Sequence, residues 1–145
     1  MKFLKIITLS FVILIANGCN AQSGTENRVL SMLKEFYIAY SKVSFRIEDA
    51  QKVDSLQEKY CTEELRKEAK EWYGDGHDLL TNDWGIEEKD IKTIEIKKDV
   101  SKSDTYIVTY TTFLDNPGNI PPKKDVRLQV TVVKENDGYK INKVW

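Results

Sequence analysis

Tyr106-Ile107-Val108-Thr109-Tyr110-Thr111-Thr112-Phe113 decides the fold, because every residue in it is β-branched or aromatic. Such side chains lose rotamer freedom in a helix and pack well on a pleated surface, so the run reads as a strand. Val126 to Val133 has the same character. Asp137-Gly138 gives a hairpin signal between that segment and a last strand, Tyr139 to Val144. Upstream, Ile94 and Ile96 alternate with charged residues and mark a first strand. Asn116-Pro117-Gly118 opens a longer connection that Pro121-Pro122 closes.

Before residue 74 the apolar period is helical. Val29, Leu33, Phe36, Tyr40 and Val43 follow a 4-3-4-3 spacing, widened by Leu30 and Tyr37, so they form one stripe on a helix. Thr25 is the expected cap, with Glu26 in the first turn. Ala50, Val53, Leu56 and Tyr60 predict a second helix over residues 48–60. Thr62-Glu63-Glu64-Leu65 starts a third, which runs through Ala69 to Trp72 and ends at Gly74 and Gly76. Residues 74–90 are rich in turn formers yet carry Leu79, Leu80 and Trp84, which must pack somewhere. Helices first and an antiparallel meander after them predict an α+β domain, with helices packed on a curved sheet of about four strands. Leu33, Phe36 and Tyr40 are expected to pack against Ile94, Ile96, Val108, Tyr110, Val130 and Val132, with the parity of the inward strand residues left open.

The first residues concern location. Lys2 and Lys5 precede an apolar run from Ile6 to Ile15, and Ala16-Asn17-Gly18-Cys19 follows. A basic start, a short apolar core and a small-residue exit is the layout of a secretory signal, too short to anchor stably across a bilayer. Leu14 to Cys19 resembles a relaxed lipobox, in which Cys19 would become the lipidated N-terminus. A competing exit after Ala21 would leave a soluble periplasmic or secreted protein. The expected organisation is a signal over 1–21 and a single domain over 22–145, held in the cell envelope on the periplasmic side or free in the periplasm. Residues 20–25 read as a tether.

Removing residues 1–18 leaves 127 residues, the size of one domain, with 20 basic side chains against 23 acidic ones and a formal charge of −3. Both signs are interspersed. Glu63-Glu64, Arg66-Lys67-Glu68 and Lys97-Lys98-Asp99 read as solvated faces, and nucleic-acid binding has little electrostatic footing. With Cys19 used at export, Cys61 is the one cysteine left and no internal disulfide can form. An unpaired thiol of this kind is ordinarily buried and inert.

Phe36-Tyr37-Ile38-Ala39-Tyr40, Lys59-Tyr60-Cys61-Thr62-Glu63-Glu64-Leu65 and the Asp78 to Trp84 segment resemble a family of small bacterial exported proteins known only as a domain of unknown function. The helix-then-strand order, ending in Gly138-Tyr139-Lys140-Ile141-Asn142-Lys143-Val144-Trp145, resembles the cone of the cystatin-like and nuclear transport factor two-like superfamilies. The resemblance covers nearly all of residues 27–145 and implies helices and sheet enclosing a pocket. It brings no catalytic residues, and a fold does not dictate an activity.

His77 is the single histidine, so any His-based metal site or catalytic triad would rest on it alone. It stands beside Asp75, Asp78 and Asp83, either as an acid or base or as a solvated loop residue. Asp75 to Asp78 lacks the spaced oxygens and closing Glu of a calcium loop. No metal, cofactor or catalytic residue is assigned. The 74–90 segment is expected to form the rim of the cone, with Trp84 lining or plugging it. His77, Asp78, Asp83, Trp84 and Tyr110 are the candidate partner-binding residues. The leading expectation is a non-enzymatic binding module for a protein or small ligand, a monomer or weak homodimer. An immunity role against a secreted toxin is one form of such binding on which the sequence is silent. The alternative is an isomerase or dehydratase that uses a pocket carboxylate as base and a tyrosine as oxyanion donor, here Asp83 with Tyr106, Tyr110 or Tyr40.

Overall fold

Val29, Leu33, Phe36, Tyr37 and Tyr40 are each at most 3% exposed, so the helical stripe becomes one wall of the core. The structure, a computed structural model, describes residues 24–43, 49–113 and 123–145. The signal segment with Cys19, the exit at Ala21 and the connection from Asn116 to Pro122 lie outside the described residues. The first helix, α1 (24–40), is already helical at Gly24. Thr25 therefore lies within α1 and does not cap it, and the expected tether loses its last two residues to the helix.

α2 (Ala50–Tyr60) and α3 (Glu63–Gly74) follow. Thr62 caps α3 as its sequence suggests: its side-chain oxygen accepts from the Leu65 N–H at 3.3 Å, and Glu63 and Glu64 occupy the first turn. Its own N–H donates to Ile141 O at 2.9 Å, which ties the start of α3 to the last strand. Residues 79–81 and 88–93 form two short 3-10 segments where a loop is expected. These precede the strands β1 (Glu95–Lys98), β2 (Thr105–Phe113), β3 (Lys123–Glu135) and β4 (Gly138–Val144).

The four strands form an antiparallel sheet in the order β1-β2-β3-β4. The inward parity is now fixed. Tyr106, Val108 and Tyr110 of β2 and Val126, Leu128, Val130 and Val132 of β3 are buried, all at even positions. Ile94 and Ile96 are only partly buried and pack at the margin of this cluster. A bulge opposite Thr131 and Val132 leaves Asn142 out of the pairing, which lets Ile141 and Val144, three residues apart, both face inward. The β3–β4 turn is Asn136-Asp137, one residue earlier than Asp137-Gly138, because Asn136 takes the positive φ of 51° and Gly138 already pairs with Glu135.

Phe36 is the hub of the helical wall. Its ring lies 5.1 Å from that of Tyr37, 5.3 Å from Tyr40 and 5.7 Å from Tyr60. Helices and sheet thus close over one hydrophobic core.

Candidate functional site

The segment between α3 and β1 is held at its neck by its own backbone. Asp83 N–H donates to Asp78 O at 2.9 Å, and Asp78 N–H returns a bond to Asp83 Oδ1 at 2.8 Å. Within this ring Asn82 and Asp83 carry φ of 49° and 64°, followed by Gly85 at 56°. Left-handed backbone costs an L-residue roughly 1–2 kcal/mol, and Asn and Asp tolerate it best because their short polar side chains bond locally. Leu79, Leu80 and Ile86 are at most 5% exposed and anchor the segment in the core.

Asp78 organises the inner side. Its Oδ1 accepts from the Tyr40 hydroxyl at 3.1 Å and from the Leu80 N–H at 3.0 Å, and its Oδ2 accepts from the Thr81 hydroxyl at 2.8 Å. Burial raises its carboxyl above the usual 3.8, and the bonds from Thr81, Tyr40 and Leu80 pull the other way without prevailing. The Tyr40 and Tyr110 phenols are pushed far up, by burial first and then by Asp78, so both remain neutral donors. Tyr37 donates to Leu80 O at 3.4 Å, and Tyr110 reaches Thr81 O at 3.5 Å.

The outer side carries the exposed groups. His77 Nδ1 lies 3.0 Å from Asp83 Oδ2, with both side chains roughly half exposed. Trp84 is 37% exposed, and Lys124 Nζ sits 4.5 Å from its ring centroid. The core is sealed here by Leu79, Leu80 and Ile86, while Trp84 lies at the surface. Four of the five expected residues therefore lie on one segment, and Tyr110 reaches it from β2. His77, Asp83 and Trp84 face out, and Asp78 braces the loop from within.

The carboxylate–tyrosine pairing differs from the expected one. Asp83 points to His77 and a backbone N–H, and Asp78 is the carboxylate that meets Tyr40. Tyr106 lies four residues before Tyr110 on β2, under Lys98. Sequence reasoning passed over Ile86 and Asp90, both with no exposed surface. Asp90 Oδ2 accepts from the Glu87 N–H at 3.1 Å, whereas its Oδ1 has no hydrogen-bond partner among the described residues. The Glu87-x-x-Asp90 capping pattern was the available signal. Among the described residues no group of three or more His, Cys, Asp or Glu side chains is placed to hold a metal ion. Cys61 is buried and its thiol is pushed up to about 12, chiefly by desolvation, so it stays protonated.

A crystal structure of a protein of unknown function from Bacteroides thetaiotaomicron superposes on this chain with a TM-score of 0.72. The two are 23% identical, and the match covers 91% of this chain and 98% of that one. The likeness establishes a shared α+β fold. No family model and no curated protein matches the sequence significantly.

Proposed function

We propose that this chain is an exported, membrane-tethered, non-enzymatic binding module that engages a protein or small ligand through the rim built on Asp78 to Trp84. The observation that carries the reading is the strained Asn82-Asp83 backbone, closed by reciprocal Asp78–Asp83 bonds, which presents His77, Asp83 and Trp84 outward. Strain of this kind persists only where the surroundings over-determine it, and such places cluster at binding sites. A rigid loop carrying an exposed tryptophan loses little entropy on binding. The helices-on-meander order supports a cystatin-like or nuclear transport factor two-like cone. The basic start, apolar run and Gly18-Cys19 exit support export with lipidation at Cys19.

An isomerase-type reading finds one supporting feature, the raised Asp78 carboxyl beside Tyr40. Both Asp78 oxygens are already engaged by Tyr40, Thr81 and Leu80, and the side chains behind them, Phe36, Tyr37 and Leu80, have no exposed surface. The binding reading is the better supported.

Two measurements test it. Palmitate labelling of the wild type with a Cys19→Ala control should show lipid on the wild type alone; an unlabelled mature chain beginning at Gln22 would leave export without the anchor. Trp84→Ala should lose capture of the partner that the wild type retrieves from its native envelope while melting within a degree or two of it. Equal capture by both proteins would remove the rim from consideration.

A further inference from the structure

A trough of about 1000 Å³ runs between α1 and α2, and none of its lining residues belongs to the rim. Its floor is apolar, with Ile38 and Ala39 of α1, Val43 of the turn that follows, and Leu56 and Tyr60 of α2. All but Tyr60 are left partly uncovered. Lysines line the trough from both sides: Lys34 on α1 and Lys42 in the turn after it, Lys52 and Lys59 on α2. Lys52 pairs with Asp49 at 2.5 Å, and Lys59 lies 4.6 Å from the Tyr60 ring centroid. Among the described residues no ion pair engages Lys34 or Lys42. Among the described residues Glu35 is the one carboxylate lining the trough, and it accepts from the Tyr60 hydroxyl at 3.3 Å. An apolar floor between two cationic edges stands out on a chain whose formal charge is negative.

The distribution of charge selects the occupant. A long-chain acid carries one carboxylate at one end and would answer a single lysine. Lys34 and Lys42 instead stand eight residues apart across the end of α1, and Lys52 and Lys59 stand seven apart on α2, about 10 Å or two turns. Carboxylates seven residues apart on a helix have that same separation. We propose that the α1–α2 trough docks an amphipathic helix of a partner protein whose apolar stripe is flanked on both edges by acidic residues. The apolar stripe covers Ile38, Ala39, Val43 and Leu56, and the acidic edges meet the two lysine rows, a helix-in-groove mode of recognition. The proposal is independent of the rim.

The test uses a fluorescein-labelled 18-residue peptide with a leucine stripe and glutamate on both flanks, titrated by anisotropy with the purified full chain. Saturable micromolar binding is expected, weakening at least fivefold between 50 and 500 mM salt. Ala39→Glu, which charges the floor, and the double reversal Lys34→Glu/Lys42→Glu should each weaken it at least tenfold, and Trp84→Ala should leave it unchanged. Melting curves check that the variants fold, and either single lysine reversal serves if the pair does not. Absent binding, equal binding of a lysine-flanked peptide, or variants that bind like the wild type would overturn the proposal. So would saturable binding of sodium oleate with the peptide silent, because the trough would then belong to a fatty acid.

Discussion

Asp78 shows how one carboxylate couples the core to the rim. Tyr40 from α1, the Leu80 N–H and the Thr81 hydroxyl all donate to it, and its own backbone N–H holds Asp83. Because burial outweighs those donors, the folded state holds the Asp78 proton more tightly than the unfolded chain does at its usual 3.8. Between 3.8 and the raised value the native state binds more protons, so Asp78 contributes stability on the acid side and that contribution is lost as pH rises. Asp78→Asn removes the titration and keeps an acceptor oxygen. Urea unfolding at several pH values from 4 to 7 should show wild-type stability, relative to this variant, declining as pH rises. A wild type that instead gains on the variant toward pH 7 would mean that the donors prevail over burial.

At the scale of elements, the sequence was readable wherever a side chain imposed the local geometry, as Thr62 did. That residue also donates from its hydroxyl to Asn142 Oδ1 at 3.3 Å, so the cap is a joint between α3 and β4. Thr62→Ala removes both side-chain bonds, leaving the Leu65 N–H unpartnered, and should cost about 1–2 kcal/mol in denaturant unfolding. Thr62→Ser should restore most of it. A loss below about 0.3 kcal/mol would show that water replaces the cap. Thr25 misled because a threonine before an acid marks a helix start only where the residue before it is not helical, and Gly24 is helical. The hairpin slipped by one residue because Asn136 and Gly138 can both accommodate left-handed backbone, and the pairing of Gly138 with Glu135 decided between them. The 3-10 segments at 79–81 and 88–93 are too short to display a period.

For the whole molecule, the class of fold was legible because helical spacing gives way to β-branched runs at a definite point in the chain. The parity of the sheet was not, since β2 offers Ile107 beside Val108 and β3 offers Val133 beside Val132, so either face looks apolar in sequence. The gathering of His77, Asp78, Asp83 and Trp84 was legible because they are neighbours in the chain, whereas the roles within the group depend on the Asp78–Asp83 closure that only the fold makes visible. What unites these parts is Phe36, which has no exposed surface and stacks on the same Tyr40 that donates to Asp78. Phe36→Ala would leave a cavity among Tyr37, Tyr40 and Tyr60 and should cost roughly 3–5 kcal/mol. Domains of this size have only about 5–15 kcal/mol in total, so the variant should unfold at a much lower denaturant concentration. Phe36→Leu, which retains most of the volume, should lose clearly less. If Phe36→Ala costs below about 1 kcal/mol, the aromatic cluster relaxes around the gap, and α1 is held to the sheet by Leu33 and Val29 without an aromatic hub.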